Sequence, residues 1–265
     1  MSTPVYSLHQ GTIPLLISMP HVGTEIPTDI LAQMEPVATH LDDTDWHLPR
    51  LYDFAIAMGA SVLIPTYSRY VIDLNRPSDN ANLYPGQDTT SLCPIDTFHK
   101  KALYAEGKTP SEEEIQRRVD TYWHPYHDAL QAEIARLKLA HGGVCLWEAH
   151  SILSTVPRFF EGKLPDFNFG TLNGQTCAAG WGESMLSIVQ QQDTYTGVLN
   201  GRFKGGYITR AYGNPAENIH SIQLELSQAT YMEEVRPYSY TSTKAEPTQV
   251  VLKALLNQCL SLLPK

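Results

Sequence analysis

The sequence has no long apolar run, no excess of positive charge and no closely spaced cysteines, and each absence excludes a class of protein. No uninterrupted apolar stretch is long enough to span a bilayer. Lys and Arg number 19 against 28 Asp and Glu, which gives a net charge of -9. That balance argues against nucleic acid or an anionic membrane as the main partner. Any anion that the protein binds must therefore be attracted by a local cluster of arginines.

The cysteines indicate neither a metal-binding pair nor a secreted disulfide scaffold. The four of them are far apart in the chain and form no CxxC pair: Cys93, Cys145, Cys177 and Cys259. The first residues, Met-Ser-Thr-Pro-Val-Tyr, lack the basic start and apolar core of a signal peptide. We therefore expect reduced thiols in a cytoplasmic protein.

The order of the predicted elements indicates one α/β domain over residues 1–265 with a largely parallel or mixed sheet, because apolar strands alternate with amphipathic helices. The predicted strands are the apolar run from Ile13 to Pro20, Ser61–Pro65, Arg69–Leu74, Val144–Ser151, Thr196–Leu199, Tyr207–Thr209 and Ile219–Leu226. The region from Ile152 to Asn173 is predicted to be rich in loops.

Four longer helices are predicted. They are a helix that starts near Asp43 to His47 and ends at Gly59, a long helix that starts with a capping box at Thr109 and ends at Gly142, a helix over Ala178–Gln190 and a terminal helix over Pro247–Leu263. Pro125 should kink or split the long helix near His124, because it removes an internal hydrogen bond. In the terminal helix, the apolar residues available for burial are Val250, Val251, Ala254, Leu255 and Leu262.

Residues Ser78 to Phe98 carry no periodicity and are rich in Asn, Asp, Pro and Gly. A structureless segment of this length inside a domain is usually functional or disordered. Because Leu83, Tyr84, Pro85 and Leu92 can anchor it, we expect an ordered active-site loop.

Two histidines follow apolar runs that are predicted to be strands. His21 comes directly after Pro20, and His150 ends the run that starts at Val144. If the two strands are adjacent, both imidazoles lie at the same edge of the sheet, where ligands of open α/β sheets bind. A catalytic zinc site takes three protein ligands and leaves a position for water. The third ligand of such a site could be Glu25, Asp43 or Asp45.

Several arginines also lie where predicted strands end. Arg69 and the pair Asn75-Arg76 flank one short segment, and Arg210 lies between glycines and aromatic residues, as expected of a binding loop. Arginine offers bidentate recognition of carboxylates. These residues predict a site for an acidic small molecule.

Glu225 lies within a predicted strand, on the face opposite to its apolar neighbours. A glutamate buried in such a strand is costly unless it has a purpose. The alternative is a half-exposed strand in which this glutamate is solvated.

Six ordered stretches together resemble the N-formylglutamate amidohydrolase family. They are PHVGTEIP, DTDW, SRYVIDLNRP, the histidine of WEAHS, GGYITRAYG and IQLELSQATYM. The resemblance covers nearly the whole chain, and six motifs in order are far more specific than any one of them. The Asp-Leu-Asn-Arg stretch is also similar to that of the related aspartoacylases and zinc carboxypeptidases. The resemblance implies a three-layer α/β fold around a mixed sheet and a zinc-dependent hydrolase. It also implies the last hydrolytic step of histidine degradation, in which N-formyl-L-glutamate gives formate and L-glutamate.

The resemblance also implies a metal site and a general base. His21, Asp45 and His150 are the implied zinc ligands. Glu25 is the rival of Asp45, but it lies one residue too far from His21 for the pattern of the related carboxypeptidases. The late-chain glutamate that serves as general base in these relatives corresponds to Glu225.

The remaining implied roles concern the substrate, a small dianion. Arg69 corresponds to the arginine that polarises the scissile carbonyl, and Asn75-Arg76 to a carboxylate clamp. A dianion needs at least two cationic groups, and Arg210 is the candidate for the second carboxylate. Two other functions stay open at this point: hydrolysis of another N-acyl acidic amino acid or small peptide, and a metal-bound sensor of an acidic metabolite.

Overall fold

The computed structural model describes residues 3–83 and 86–264, so Tyr84 and Pro85 of the predicted loop anchor and the first two residues of the chain lie outside the described part. Seven strands form one sheet. They are β1 (Tyr6–His9), β2 (Leu15–Ser18), β3 (Ser61–Pro65), β4 (Val144–Ile152), β5 (Phe167–Gly170), β6 (Gly197–Leu199) and β7 (Ile219–Ser227).

The sheet has the strand order β1-β3-β2-β4-β7-β5-β6. The pairs β2–β3, β2–β4, β4–β7 and β5–β6 are parallel, whereas β1–β3 and β5–β7 are antiparallel. Every residue of β2 and β4 is buried, as expected for central strands that are covered on both faces. The predicted mixed, largely parallel sheet is confirmed.

Eight α-helices accompany the sheet in the described part of the chain, and none of its helices is long and apolar enough to cross a membrane. They are α1 (Thr28–Leu31), α2 (Leu48–Leu51), α3 (Phe54–Ala57), α4 (Glu112–Arg118), α5 (His124–His141), α6 (Trp181–Gln190), α7 (Tyr207–Tyr212) and α8 (Ser242–Leu262). Short 3₁₀ turns are found at Pro36–His40, Pro215–Glu217 and Gln228–Thr230, and a π-helical turn at Val119–Trp123.

The helices cover both faces of the sheet. Leu15 and Ile17 of β2 point into a large apolar cluster with α2, α3, α6 and α8, whereas Leu16 points into a second cluster with α5. Alternation along the strand thus supplies apolar side chains to both layers. The result is the three-layer α/β arrangement predicted above.

The long predicted helix is present, with a local change of pitch. α4 and α5 are joined by the π-helical turn, which ends at Trp123 just before Pro125. Because Pro125 has no N–H to donate, the regular α-helical ladder is interrupted here, and the predicted split near His124 is confirmed. The predicted cap is wrong by two residues: the hydroxyl of Ser111, not of Thr109, accepts from the N–H of Glu114.

The predicted strand at Arg69–Leu74 is wrong, because this segment forms turns. The N–H of Val71 donates to the carbonyl of Ser68 at 2.8 Å. Nη2 of Arg69 lies 2.7 Å from Oδ2 of Asp73, one turn further along. The segment is almost entirely buried, so its apolar composition reflects burial and not membership of the sheet.

The predicted helix that ends at Gly59 is divided into α2 and α3. The carbonyl of Leu51 accepts from the side-chain amide of Gln249, and the N–H of Ala55 donates to Tyr52 instead. The side-chain amide of Gln249 in α8 therefore takes the place of the backbone N–H that would donate to the carbonyl of Leu51 in a continuous helix.

The predicted strand at Tyr207–Thr209 is wrong, because these residues begin α7. The first N–H groups of a helix have no partner within it. Here the N–H of Ile208 donates to Oδ1 of Asn75 and that of Thr209 to Oε2 of Glu148, both at 2.9 Å. Distant side chains therefore stabilise this short helix.

Two further boundaries differ from the prediction. β5 lies in the region that was predicted to be rich in loops, and α8 begins at Ser242, five residues before Pro247. Within α8, Val251 and Leu255 are buried as predicted, but Val250 is 70% exposed. Val250, Val251 and Leu252 are all apolar, so the sequence alone does not determine which of them faces the core. In the structure, Val251 and Leu252 belong to the large apolar cluster.

Candidate active site

The two histidines lie side by side at one edge of the sheet. β2 and β4 are parallel neighbours, as the prediction required. His21 lies three residues beyond the end of β2. His150 lies within β4, two residues before its end, and the predicted strand Val144–Ser151 also included it. The two ring centroids are 4.7 Å apart.

Asp45 lies next to both imidazoles. Its N–H donates to the carbonyl of His21 at 3.0 Å, which holds the two segments together. Its Oδ2 lies 3.0 Å from Nδ1 of His150 and 3.8 Å from Nδ1 of His21. One ligand atom from each of the three residues lies within 4.8 Å of the others, and all three residues are buried. Two imidazole nitrogens and one carboxylate fit a catalytic zinc ion.

The two rival ligands lie elsewhere. Glu25 is exposed, and its backbone pairs with Tyr67. Asp43 is buried, but its carboxylate accepts from the N–H of Phe98 at 2.9 Å. Neither residue belongs to the group that His21, Asp45 and His150 form among the described residues.

The outer nitrogen of each histidine meets a buried carboxylate. Nε2 of His21 lies 2.7 Å from Oδ1 of Asp73, and Nε2 of His150 lies 2.7 Å from Oε1 of Glu148. A ligating histidine characteristically donates its other N–H to a carboxylate, which fixes the tautomer and the ring orientation. Both Nδ1 atoms, which face Asp45, are thereby left as acceptors for a metal.

Asp73 and Glu148 were not among the site residues predicted from the sequence. A usable indication existed for Glu148, because residues two apart in a strand share a face and Glu148 precedes His150 by two. Asp73 lies in the segment that was mistaken for a strand, so its place beside His21 depends on a turn that the pattern hides.

Arg69 lies against the same group of side chains. Its Nη2 pairs with Asp73 at 2.7 Å, and its Nη1 lies 3.2 Å from Nδ1 of His21 and 4.0 Å from Oδ1 of Asp45. Arg69 is only 8% exposed, so its charge acts in a region with little water to screen it. The structure thus brings Arg69 to the histidine–aspartate group.

Glu225 lies on β7 directly beside His150 in the pairing with β4. It is 8% exposed, which excludes the alternative of a solvated glutamate. Without a bound cation, burial raises the pKa of Glu225 to about 8. A cation bound beside it would favour the carboxylate, which is the form that can accept a proton.

Asn75 and Arg76 lie at the same end of the sheet. Nδ2 of Asn75 lies 3.0 Å from Nε2 of His150, and its Oδ1 accepts from the N–H of Ile208. Arg76 reaches the hydroxyl of Thr90 at 3.3 Å. Asn75 therefore supports the position of α7 in addition to any contact with a ligand.

These residues surround a cavity that is partly open to solvent. The loop over residues 78–98, which contains no helix or strand in its described part, supplies Asp88, Thr90 and Phe98 to the wall. Arg158 holds this loop by pairing with Asp88 at 2.9 Å and with Asp96 at 2.8 Å.

Arg210 is not among the residues found on the cavity wall. Its Nε donates to the carbonyl of Gly205 and its Nη1 to that of Leu83. Arg202, which the sequence analysis did not select, does line the cavity. The segment Asn-Gly-Arg-Phe-Lys-Gly-Gly around Arg202 is rich in glycine, and that composition was the available indication of a binding loop.

The fold and the site define a class of protein: a three-layer α/β domain with a buried His–Asp–His group, a neighbouring glutamate and an arginine-lined cavity. Residues 13–232 match the family model described as N-formylglutamate amidohydrolase. The chain belongs to this family.

Two relatives from Pseudomonas match nearly the whole chain. The N-formylglutamate deformylase of Pseudomonas putida is 51% identical over 257 residues, which cover 97% of this chain and 96% of the relative. The N-formylglutamate deformylase of Pseudomonas aeruginosa is 49% identical with the same coverage.

Two solved structures share the fold. The crystal structure of an N-formylglutamate amidohydrolase from Ralstonia eutropha JMP134 has a TM-score of 0.82 and 25% identity and covers 98% of both chains. A gene product of Agrobacterium tumefaciens has a TM-score of 0.74 over 98% of this chain and 96% of its own. At 16% identity, the latter supports the fold alone.

Proposed function

We propose that this chain hydrolyses N-formyl-L-glutamate to formate and L-glutamate, with a zinc ion held by His21, Asp45 and His150. The observation that carries the proposal is the buried His–Asp–His group beside Glu225, in a member of the N-formylglutamate amidohydrolase family. Both Pseudomonas relatives are named for this deformylation. We further propose that the reaction is the last hydrolytic step of histidine degradation in the cytoplasm.

The donor set supports a zinc ion. His21 and His150 present Nδ1, because Asp73 and Glu148 lie at their Nε2 atoms. A zinc ion at such a site lowers the pKa of water towards neutrality and polarises a carbonyl group. The three side chains are buried, and one ligand atom of each lies within 4.8 Å of the others; Nη1 of Arg69, at 3.2 Å from Nδ1 of His21, would have to withdraw from that nitrogen for the ion to bind.

Glu225 moves the protons in the proposed reaction. As a carboxylate, it accepts a proton from the water that attacks the formyl carbon, and a C–O bond forms. It then gives this proton to the amide nitrogen as the C–N bond breaks, so that L-glutamate leaves as the amine. Its position beside His150 on the neighbouring strand supports this role.

Arg69 and the Asn75-Arg76 pair are assigned to the charges of the substrate. Arg69 stabilises the negative charge that develops on the formyl oxygen, and its pairing with Asp73 fixes the guanidinium in advance. Arg76 lies on the cavity wall and binds the carboxylate next to the scissile amide, with Asn75 beside it.

The test compares wild type with Glu225→Gln by release of formate, with the zinc content measured in the same samples. We expect wild type to release formate from N-formyl-L-glutamate, to lose this activity on chelation and to regain it with zinc. We expect Glu225→Gln to retain zinc but to be at least about 100-fold slower, because the proton acceptor is gone.

Three results would contradict parts of this proposal. Absence of metal-dependent release would refute the hydrolase. Equal rates for wild type and Glu225→Gln would refute the assignment of the base. Faster hydrolysis of N-acetylaspartate than of the formyl compound would indicate the related amidohydrolase activity instead.

A further inference from the structure

Three arginines lie on the described part of the cavity wall: Arg69, Arg76 and Arg202. Arg69 contacts the histidine–aspartate group directly, through His21 and Asp45. Arg76 and Arg202 contact other parts of the wall. A substrate with two carboxylates needs two cationic groups besides the one at the reacting carbonyl, because the protein carries a net charge of -9.

Arg202 is held in place by an aromatic part of the wall. Its Nε donates to the carbonyl of Phe159 at 2.6 Å. Its guanidinium carbon lies 5.4 Å from the ring centroid of Phe203 and 5.8 Å from that of Phe159. A guanidinium that is already oriented loses less conformational entropy when it binds a carboxylate. The apolar rings also reduce screening by water, which strengthens a charge pair there.

The acidic residue on this part of the wall is already neutralised. Asp88 lines the cavity, but its carboxylate pairs with Arg158 at 2.9 Å and with Nζ of Lys100. Arg158 also pairs with Asp96, so two cations and two carboxylates balance here, and Asp88 adds no net negative charge to this part of the wall. The same ion pairs fix the loop of residues 78–98 that forms this side of the cavity.

Arg210, the candidate from the sequence, fits this role less well. Its guanidinium donates to the carbonyl groups of Gly205 and Leu83, and Arg210 is not among the residues that line the described wall. The position on the wall thus favours Arg202 as the second cation.

We propose that Arg202 binds the side-chain carboxylate of the substrate and so determines the preference for an acidic amino acid. This inference rests on the proposed function and deepens it. Arg76 holds the carboxylate next to the scissile amide, and Arg202 holds the carboxylate at the far end of the side chain. The ligand class at Arg202 is a carboxylate on a short aliphatic chain.

The test uses two substrates that differ only in this charge, N-formyl-L-glutamate and N-formyl-L-glutamine. For Arg202→Gln, we expect kcat/KM for the glutamate compound to fall by about 10- to 100-fold, the range for a lost charge-assisted hydrogen bond. We expect the value for the glutamine compound to change by less than about threefold. Lys204→Gln is the matched control, because Lys204 is exposed, carries the same charge and lies two residues away.

Arg202→Lys keeps the positive charge but lacks the planar guanidinium group. It also provides a second test if Arg202→Gln fails to fold. We expect this variant to retain the preference for the glutamate compound with a smaller loss than Arg202→Gln. An equal loss on both substrates in Arg202→Gln would place Arg202 at the other carboxylate or in a structural role. No loss on either substrate would also overturn the proposal.

Binding measurements separate this inference from the proposed function. If wild type cleaves neither compound, the hydrolase proposal fails, but calorimetry with L-glutamate and L-glutamine still tests Arg202. We expect Arg202→Gln to weaken the binding of L-glutamate by about 10-fold or more and that of L-glutamine by less than about threefold. Equal affinities of wild type and variant for L-glutamate would refute the role of Arg202.

Discussion

Glu148 offers the sharpest test of the proposed role of His150 as a metal ligand. Its carboxylate is completely buried, with Oε1 at 2.7 Å from Nε2 of His150 and Oε2 accepting from the N–H of Thr209 at 2.9 Å and from the Thr209 hydroxyl. The substitution Glu148→Gln keeps the size of the side chain but replaces one acceptor by a donor. Every partner of this carboxylate is positioned to donate, so the amide cannot satisfy all of them.

The magnitude follows from the two orientations of the amide. With its NH₂ group towards His150, the imidazole must carry its proton on Nδ1, and this nitrogen is then unable to bind a metal. With its NH₂ group towards Thr209, a buried N–H loses its acceptor, at a cost of about 1–3 kcal/mol. Loss of a residue that orients a ligating histidine typically weakens metal affinity by about 10- to 100-fold.

The assay is competition for zinc against a chelator, with the melting temperature measured in parallel. We expect Glu148→Gln to bind zinc about 10- to 100-fold more weakly than wild type. Glu183→Gln is the control, because Glu183 is an exposed glutamate on α6. Zinc affinity of Glu148→Gln within about twofold of wild type would refute this account of His150.

Three further predictions concern stability. Burial lowers the pKa of His127 to about 4, so only the unfolded chain takes up a proton at this residue between pH 6.5 and pH 5. Wild type should therefore lose roughly 1.5 kcal/mol of stability over this range, and urea unfolding of His127→Gln should show a correspondingly flatter pH dependence. Leu255→Ala should lose about 2–5 kcal/mol in the same assay and Val250→Ala less than about 0.5 kcal/mol, because Leu255 is buried and Val250 is exposed. Gly23→Ala should lose about 1–3 kcal/mol and reduce zinc retention, because the added methyl group overlaps with the Tyr67 carbonyl.

A specific result would contradict each of these predictions. An unchanged pH dependence in His127→Gln would mean that another group controls acid stability. Equal losses for Leu255→Ala and Val250→Ala would contradict the orientation of α8. Wild-type stability of Gly23→Ala would contradict the close approach of the two loops.

The buried strands and the residues at their ends could be predicted from the sequence. The runs before His21 and His150 are apolar throughout, as central strands covered on both faces must be. Glu225 was recognisable because it interrupts such a strand. Parallel neighbours bring strand ends together, so the proximity of His21 and His150 follows from the strand order.

The remaining features depend on tertiary contacts that leave little trace in a local pattern. The segment Arg69–Leu74 is apolar because it is buried, and this obscured both its turns and the position of Asp73 beside His21. The helix α7 depends on Asn75 and Glu148, which are far away in the chain. Choosing between Arg202 and Arg210 required the shape of the cavity, because both lie near glycines in the sequence.

The central claim is that His21, Asp45 and His150 hold the metal of a hydrolytic site. A crystal structure of the zinc-loaded protein, with anomalous diffraction measured at the zinc edge, tests it most directly. We predict one strong peak at about 2.0–2.2 Å from Nδ1 of both histidines and from a carboxylate oxygen of Asp45, with Glu225 beside it. A zinc peak bound by Glu25, by Nε2 of either histidine or at another place in the chain would contradict the claim.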